Sequence, residues 1–314
     1  MSCPVEITRA FTAMNTAVEA VVCVLPGEET KAENALLLVQ DIFTSVEATL
    51  SRFKPDSELS RLNRTAGQPF SASNLLFTVI TLAKAAAETT GGIFDPTILP
   101  YLLAAGYGRS YEQLAGESAA PSSEYEKRHT WRDIKLDPDS STITIPAGCS
   151  IDLGGIGKGW MVDYAAQKLM DFPGYAVDAG GDIVLGGKMA NGSLWPVGVA
   201  DPLQPQENIT VLELTDCAVC TSSTARRRWR RGGLSFHHLI DPRNGRPADS
   251  GVISATVIAD SAVRAEIMAK TAVILGPDGG MRFIKNQSGT RGILVLNDGT
   301  LLRSEESRET KNVR

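Results

Sequence analysis

An α+β fold is the architecture the sequence predicts, and three observations carry it. Segments that alternate apolar and polar residues come in neighbouring pairs joined by turn residues, the pattern of hairpins. Long amphipathic segments with helical spacing separate these pairs. No internal repeat, low-complexity run or linker divides the 314 residues, so a single unit over residues 5–303 with a loose polar tail at 304–314 is expected.

Residues 6–25 read as two strands joined around Met14-Asn15-Thr16. Residues 28–52 read as a helix, because Leu36, Leu37, Val39, Ile42, Phe43, Val46 and Leu50 recur at helical spacing. Pro55-Asp56 turns the chain, and Ser57 caps a short helix holding Leu59 and Leu62. Phe53, just before that turn, reads first as a core residue and second as an aromatic wall for a planar ligand. A helix capped by Ser73 runs to Thr90 and stops at Gly91-Gly92. Asp95-Pro96-Thr97 then opens another helix, with proline where a missing N–H costs nothing and Asp95 as its N-cap. Residues 110–129 are polar and read as a surface loop. Strands at 130–136 and 141–145 form a hairpin about Asp137-Pro138-Asp139.

Residues 150–160, SIDLGGIGKGW, carry Gly154, Gly155, Gly157 and Gly159 between an apolar lead-in and an amphipathic helix whose buried face is Met161, Ala165, Leu169 and Met170. Such a stretch is either a tight connection or an anion cradle, since the first N–H groups of a helix are unpaired and its dipole is positive there. It is not a P-loop, because Asp152 stands five places before Gly157 and Trp160 stands where Ser or Thr should follow. Nor is it a Rossmann fingerprint. Beyond it, residues 174–187 read as two strands about Gly180-Gly181, flanked by Asp178 and Asp182, with further strands at 194–200, 209–214, 218–222 and 252–258. A helix over 261–275, a shorter one over 279–286 and a hairpin over 292–302 close the unit.

The total of 31 basic and 36 acidic residues, a net charge of -5, points away from nucleic acid. No 18-residue uncharged apolar segment occurs, and the N-terminus lacks an export-signal pattern, so a cytoplasmic protein without a membrane partner is expected. Five scattered cysteines fit reduced thiols, and Cys217 and Cys220 on an extended segment face opposite sides. His237 and His238 must likewise diverge, so at most one enters a site, where it could act as a general base; a surface or structural histidine is the more ordinary reading. The arginines around Trp229 in TSSTARRRWRRGG read as a solvated basic loop.

The ordered motifs FTAMNT, SRFKPDSELSRLN, GGIFDPT, DLGGIGKG, VDAGGDI, TSSTARR, HHLIDPRNGRP and VIADSAVRAEIMAKTAVILG resemble the ApbE family of FAD:protein FMN transferases. The resemblance implies an α+β unit of mixed and antiparallel sheets with flanking helices, compatible with two lobes and a flavin site between them. It implies FAD as substrate, a magnesium ion by the pyrophosphate, and transfer of FMN to a threonine hydroxyl of an acceptor protein with release of AMP. Some members instead hydrolyse FAD to FMN and AMP. Carried over, it makes Met14 and Phe53 flavin-site contacts and Ile93, Phe94 and Asp95 a ligand-binding segment. Gly154, Gly155 and Lys158 would hold the pyrophosphate, with the Gly157 carbonyl as a metal ligand. His238, Leu239, Ile240 and Asp241 would line the reacting end, with His238 and Asp241 as catalytic candidates.

The chain departs from that pattern on its C-terminal helix, where the family's metal-binding Asp and Thr are Glu266 and Lys270. Glu266 is still an oxygen donor, whereas a protonated Lys270 has no lone pair to give. The Lys270 ammonium could replace part of the metal charge, or pair with Glu266 one turn away and close the site, which would leave a catalytically impaired FAD-binding protein. Thr271 lies about 100° round the helix and cannot simply substitute.

Overall fold

The structure is a computed structural model that describes residues 4–111 and 129–304; most of the expected surface loop at 110–129 and of the tail at 304–314 lies outside them. Its first half comprises β1 (Val5–Ala13), β2 (Thr16–Val24), α1 (Glu29–Leu50), α2 (Glu58–Arg64), β3 (Pro69–Ser71), α3 (Asn74–Thr89), α4 (Leu99–Ala104), β4 (Lys135–Asp137), β5 (Thr142–Thr144) and α5 (Gly157–Ala166). Then follow β6 (Gly174–Ala179), β7 (Asp182–Gly187), β8 (Trp195–Ala200), β9 (Asn208–Leu214), β10 (Cys217–Ser223), β11 (Arg228–Arg231) and β12 (Leu234–His237). The chain ends in β13 (Ile240–Asp241), β14 (Arg246–Pro247), β15 (Val252–Ala259), α6 (Ala262–Lys285), β16 (Arg291–Leu296) and β17 (Leu301–Arg303).

Eight of these strands form one antiparallel sheet in the order β1-β2-β6-β7-β10-β15-β16-β17. The period-2 alternation of side chains splits it into two buried faces. Val22, Val24, Ala218, Cys220, Val257 and Ala259 face the main core, while Cys23, Val219 and Ile258 point to the opposite side, where the β8–β9 hairpin covers them. On the main face α1, α5 and α6 lie side by side over β1–β2, β6–β7 and β10–β15–β16 respectively. The buried stripe of α1, from Ala32 to Leu50, explains why that helix forms although its N-cap makes no side-chain hydrogen bond. Each fully buried aliphatic or aromatic side chain contributes roughly 1.5–3 kcal/mol, more than the ~1 kcal/mol of a missing cap.

Ser57 and Ser73 cap α2 and α3 as expected, each accepting from the third residue on. The expected pair of helices after Ser261 is α6, broken at Gly276 with φ 81° before Pro277. Four expectations need correction. Residues 130–133 are not strand: Thr130 and Asp133 form a reciprocal capping box around a 3-10 turn, and only Lys135–Asp137 pairs. The Asp95-Pro96-Thr97 segment starts with a 3-10 turn, Pro96–Ile98, before α4. Met170 is exposed, because α5 ends at Ala166 and the chain turns before reaching it. The arginine-rich segment is the β11–β12 hairpin rather than a solvated loop, since Trp229 buries itself against Tyr107 and donates to the Ala105 carbonyl while Arg228 and Arg230 face out.

The α5–α6 contact places the residues that matter most below. Gly159 lets the backbones touch: a Cβ there would lie 2.7 Å from the Ala262 carbonyl oxygen. Asp163 on α5 accepts the N–H groups of Ala262 and Val263 at 2.7 and 2.9 Å, tying down the start of α6. Burial is the largest influence on Asp163 and raises its pKa to about 6, against the pull of those two bonds. The folded protein therefore takes up a proton near pH 6 that the unfolded chain refuses until about pH 4. Acidification through that window stabilises the fold through Asp163. Urea unfolding of wild type and Asp163→Asn should show the wild type gaining on the variant as pH falls from 7 to 5; a constant difference would contradict this.

Candidate active site

The loops at one end of the main sheet enclose two joined chambers. The first, about 300 Å³, is walled by Phe53, Ile93, Phe94, Ile98, Leu102 and Tyr107, and Met14 also lines it. The second, about 800 Å³, is more polar than the first, with Asp178, Gly180-Gly181, Asp182, Thr221 and Arg226 among its walls. Gly154, Lys158, Arg227, His238 and Lys270 line both and so mark their junction.

Local folding explains how each group arrives. The β1–β2 hairpin turns through Met14 and Asn15 at φ 49° and 54°, a primed turn that brings both to the first chamber. After α1 the chain becomes extended at Ser51, and Arg52 folds inward. Its guanidinium lies 4.0 Å from the Phe53 ring centroid and 4.8 Å from that of Tyr107, and its Nε is 2.5 Å from Asp152 Oδ2. Arg52 thereby clamps the aromatic wall to the glycine stretch. Phe53 is 40% exposed, so the expectation of a core residue was wrong and its second reading, a wall for a planar ring, is the one its position fits. Asp95 accepts the N–H and hydroxyl of Thr97 at 2.9 and 2.7 Å, keeping its capping role while it also lines the first chamber beside Ile93 and Phe94.

The two histidines diverge as the extended backbone requires. His237 turns into the core, its Nε2 3.0 Å from the Ala248 carbonyl oxygen. His238 faces the junction, and its Nδ1 is buried with no hydrogen-bond partner among the described residues. Burial first, then Arg227 and Lys270, hold its pKa well below the ordinary histidine value, so the ring is neutral at neutral pH. Leu239 and Ile240 back the first chamber. Asp241 does not reach either chamber: its carboxylate takes Arg243 Nε at 2.9 Å and Nη2 at 2.7 Å and opens a shallow cleft elsewhere.

The glycine stretch is less open than its sequence suggests. Gly154 donates to Asp152 Oδ1 at 2.9 Å, Gly157 to the Leu153 carbonyl at 2.7 Å and Gly159 to Glu266 Oε2 at 3.0 Å. Gly157 sits in the first turn of α5, off the chamber walls. Lys158 is ion-paired with Asp182 and lies 3.7 Å from Glu266 Oε1. Glu266 thus caps α5 and neutralises Lys158; it does not form an ion pair with Lys270 among the described residues. Lys270 instead puts its amine against the backbone of Gly155, where burial lowers its pKa and Glu266 opposes the shift. Thr271 turns into the core, its hydroxyl buried without a hydrogen-bond partner among the described residues.

These residues do not fit a divalent metal. Magnesium wants several converging oxygens, but Glu266 has both oxygens engaged, Asp182 serves Lys158, and the remaining family position projects an ammonium. No group of three or more His, Cys, Asp or Glu suited to an ion occurs among the described residues. Arg52, Asp152, Tyr107, Arg227 and Asp182 also line the chambers, where motif reading had not placed them. Asp182 had a signal, as a carboxylate flanking a Gly-Gly bend, and Arg52 had one in its place beside Phe53.

An aromatic chamber, a cationic junction and a second chamber with polar walls have the chemistry to hold a phosphorylated molecule that carries a planar ring. The chain belongs to the ApbE family, whose profile matches residues 14–294. It is 30% identical over 269 residues, 83% of this chain and 79% of the relative, to an FAD:protein FMN transferase of Vibrio cholerae. It is 28% identical over 279 residues, 83% of this chain and 77% of the relative, to one of Treponema pallidum. The crystal structure of the ApbE protein of Thermotoga maritima superimposes with a TM-score of 0.83 at 26% identity, covering 96% of this chain and 97% of that one. Among the described residues no helix is long and apolar enough to cross a membrane.

Glu266→Ala should lower unfolding stability in metal-free buffer by roughly 2 kcal/mol, because the buried Gly159 N–H loses its acceptor. Thermal or urea denaturation reads this. A variant as stable as the wild type would mean that the carboxylate is held idle for an ion.

Proposed function

We propose that this chain is a flavin transferase that moves FMN from FAD to a threonine hydroxyl of an acceptor protein and releases AMP. The observation that carries the proposal is the junction itself, where Lys270, Arg227 and the neutral His238 converge between an aromatic chamber and a polar one. FAD has that shape: a planar ring at each end and a doubly negative pyrophosphate between. One ring stacks in the chamber of Phe53 and Tyr107, and the second chamber accommodates the rest of the dinucleotide and the incoming hydroxyl. The relatives named as FAD:protein FMN transferases support the same reading.

The chemistry required of the protein is positioning and charge neutralisation. The acceptor oxygen forms a bond to the FMN-side phosphorus, the bridging P–O bond breaks, and AMP leaves with that bond's electron pair. His238 accepts the hydroxyl proton, for which its neutral ring has a lone pair ready. Lys270 and Arg227 face the charge that develops on the phosphoryl oxygens and on AMP. Arg52 holds the aromatic wall and the glycine stretch in register. The proposed unit spans residues 5–303, and the proposed setting is the cytoplasm, with an acceptor in the same compartment and no nucleic-acid or membrane partner.

Incubation with FAD and a cytosolic acceptor fraction, followed by chromatography for AMP and in-gel fluorescence for protein-bound flavin, tests the proposal. AMP with labelled protein is expected; AMP with only free FMN would reassign the activity to FAD pyrophosphatase, and no product at all would leave an FAD-binding protein. His238→Gln should reduce kcat by about 100-fold or more with little change in KM for FAD. Because the His238 pKa is depressed, wild-type kcat/KM should stay level as pH falls through 6.5 and drop only below it. An acid limb centred at or above 6.5 would contradict that assignment.

A further inference from the structure

The helix position at which the family resemblance places a metal-binding oxygen carries Lys270, and its surroundings go beyond a simple loss of that oxygen. The Lys270 amine lies so close to Gly155 that any Cβ at that glycine would collide with it. It opens to both chambers, with the Phe94 ring centroid 6.0 Å away. The carboxylates nearest in sequence and space are already used: Glu266 by Gly159 N–H and Lys158, Asp182 by Lys158, and Asp152 by Arg52 and Gly154. Among the described residues that line the junction, Lys270 and Arg227 are therefore the cations without an ion-pair partner within 4 Å. A largely desolvated ammonium held without a counter-charge is costly, and folds keep such groups where a ligand supplies the missing charge.

We infer that the Lys270 ammonium, seated against the Gly155 backbone, is the resident cation of this site and binds the FAD pyrophosphate together with Arg227, so that dinucleotide binding needs no divalent metal. The inference rests on the proposed FAD site and specifies how that site meets its anion. The two unpaired cations match the two negative charges of a pyrophosphate. The neighbouring carboxylates, consumed by Lys158 and by the start of α5, set the geometry of the wall rather than coordinate an ion. Gly155 is required here for a reason distinct from loop flexibility, because its missing side chain is the seat of the amine.

The test is equilibrium binding of FAD, and of riboflavin as a phosphate-free control, by flavin fluorescence in EDTA and in Mg²⁺. Wild type, Lys270→Met and Lys270→Thr are compared, each first shown to be folded by its thermal transition. Wild-type FAD affinity should agree within about twofold between EDTA and Mg²⁺. Lys270→Met and Lys270→Thr should each weaken FAD at least about tenfold in either buffer while leaving riboflavin within about twofold. Wild-type FAD binding that requires Mg²⁺ would overturn the inference and leave the FAD site standing. Equal losses of FAD and riboflavin in Lys270→Met would also overturn it, by making Lys270 a packing residue. A folded wild type that binds FAD in neither buffer would overturn the FAD site and the inference together. The wild-type comparison decides the matter even if a variant fails to fold.

Discussion

The contact between α5 and α6 is the constraint on which the site depends. Gly159 brings the two backbones together, Asp163 fastens the first N–H groups of α6, and Glu266 reaches back from α6 to the Gly159 N–H. One interface thus fixes the glycine stretch and the helix that carries Lys270 relative to each other. The sheet beneath it is buried on both faces at β10 and β15, so neither helix can shift without disturbing packed side chains.

Charge placement at the junction follows from that geometry. Lys158 would be the natural phosphate ligand at a helix start, yet two carboxylates surround it, and it contributes little free positive potential. Arg52 is likewise neutralised by Asp152 and spends its guanidinium on two aromatic rings. Positive charge is left to Lys270 and Arg227, which come from distant parts of the chain and meet where the chambers join. A low-dielectric wall makes each such charge more effective than it would be in water. Neutral His238 sits among them without adding a third positive charge.

Much of the framework was legible because it rests on local rules. The turn at Met14-Asn15, the caps at Ser57 and Ser73, the Gly180-Gly181 bend and the break at Gly276 each follow from a few neighbouring residues. The candidate site was legible to the extent that motif residues share a cavity: Met14, Phe53, Ile93, Phe94, Asp95, Gly154, Gly155, Lys158, His238, Leu239 and Ile240 all line the first chamber. What was hidden depends on long-range partners. Nothing near Lys158 announces Asp182, nothing near Gly159 announces Glu266, and Asp241 looks catalytic until Arg243 is seen to occupy it. The β11–β12 hairpin escaped because arginines mask its alternation, and only the buried Trp229 betrays it.

The central claim is that a tethered ammonium, rather than a bound metal, meets the anion of the dinucleotide. A crystal structure of the FAD complex grown in EDTA tests it most directly. The account predicts pyrophosphate oxygens within hydrogen-bonding distance of Lys270 and Arg227, a planar ring against Phe53, and Glu266 still accepting from Gly159. A pyrophosphate remote from Lys270, or a complex that forms only when a divalent ion draws Glu266 away from Gly159, would contradict it.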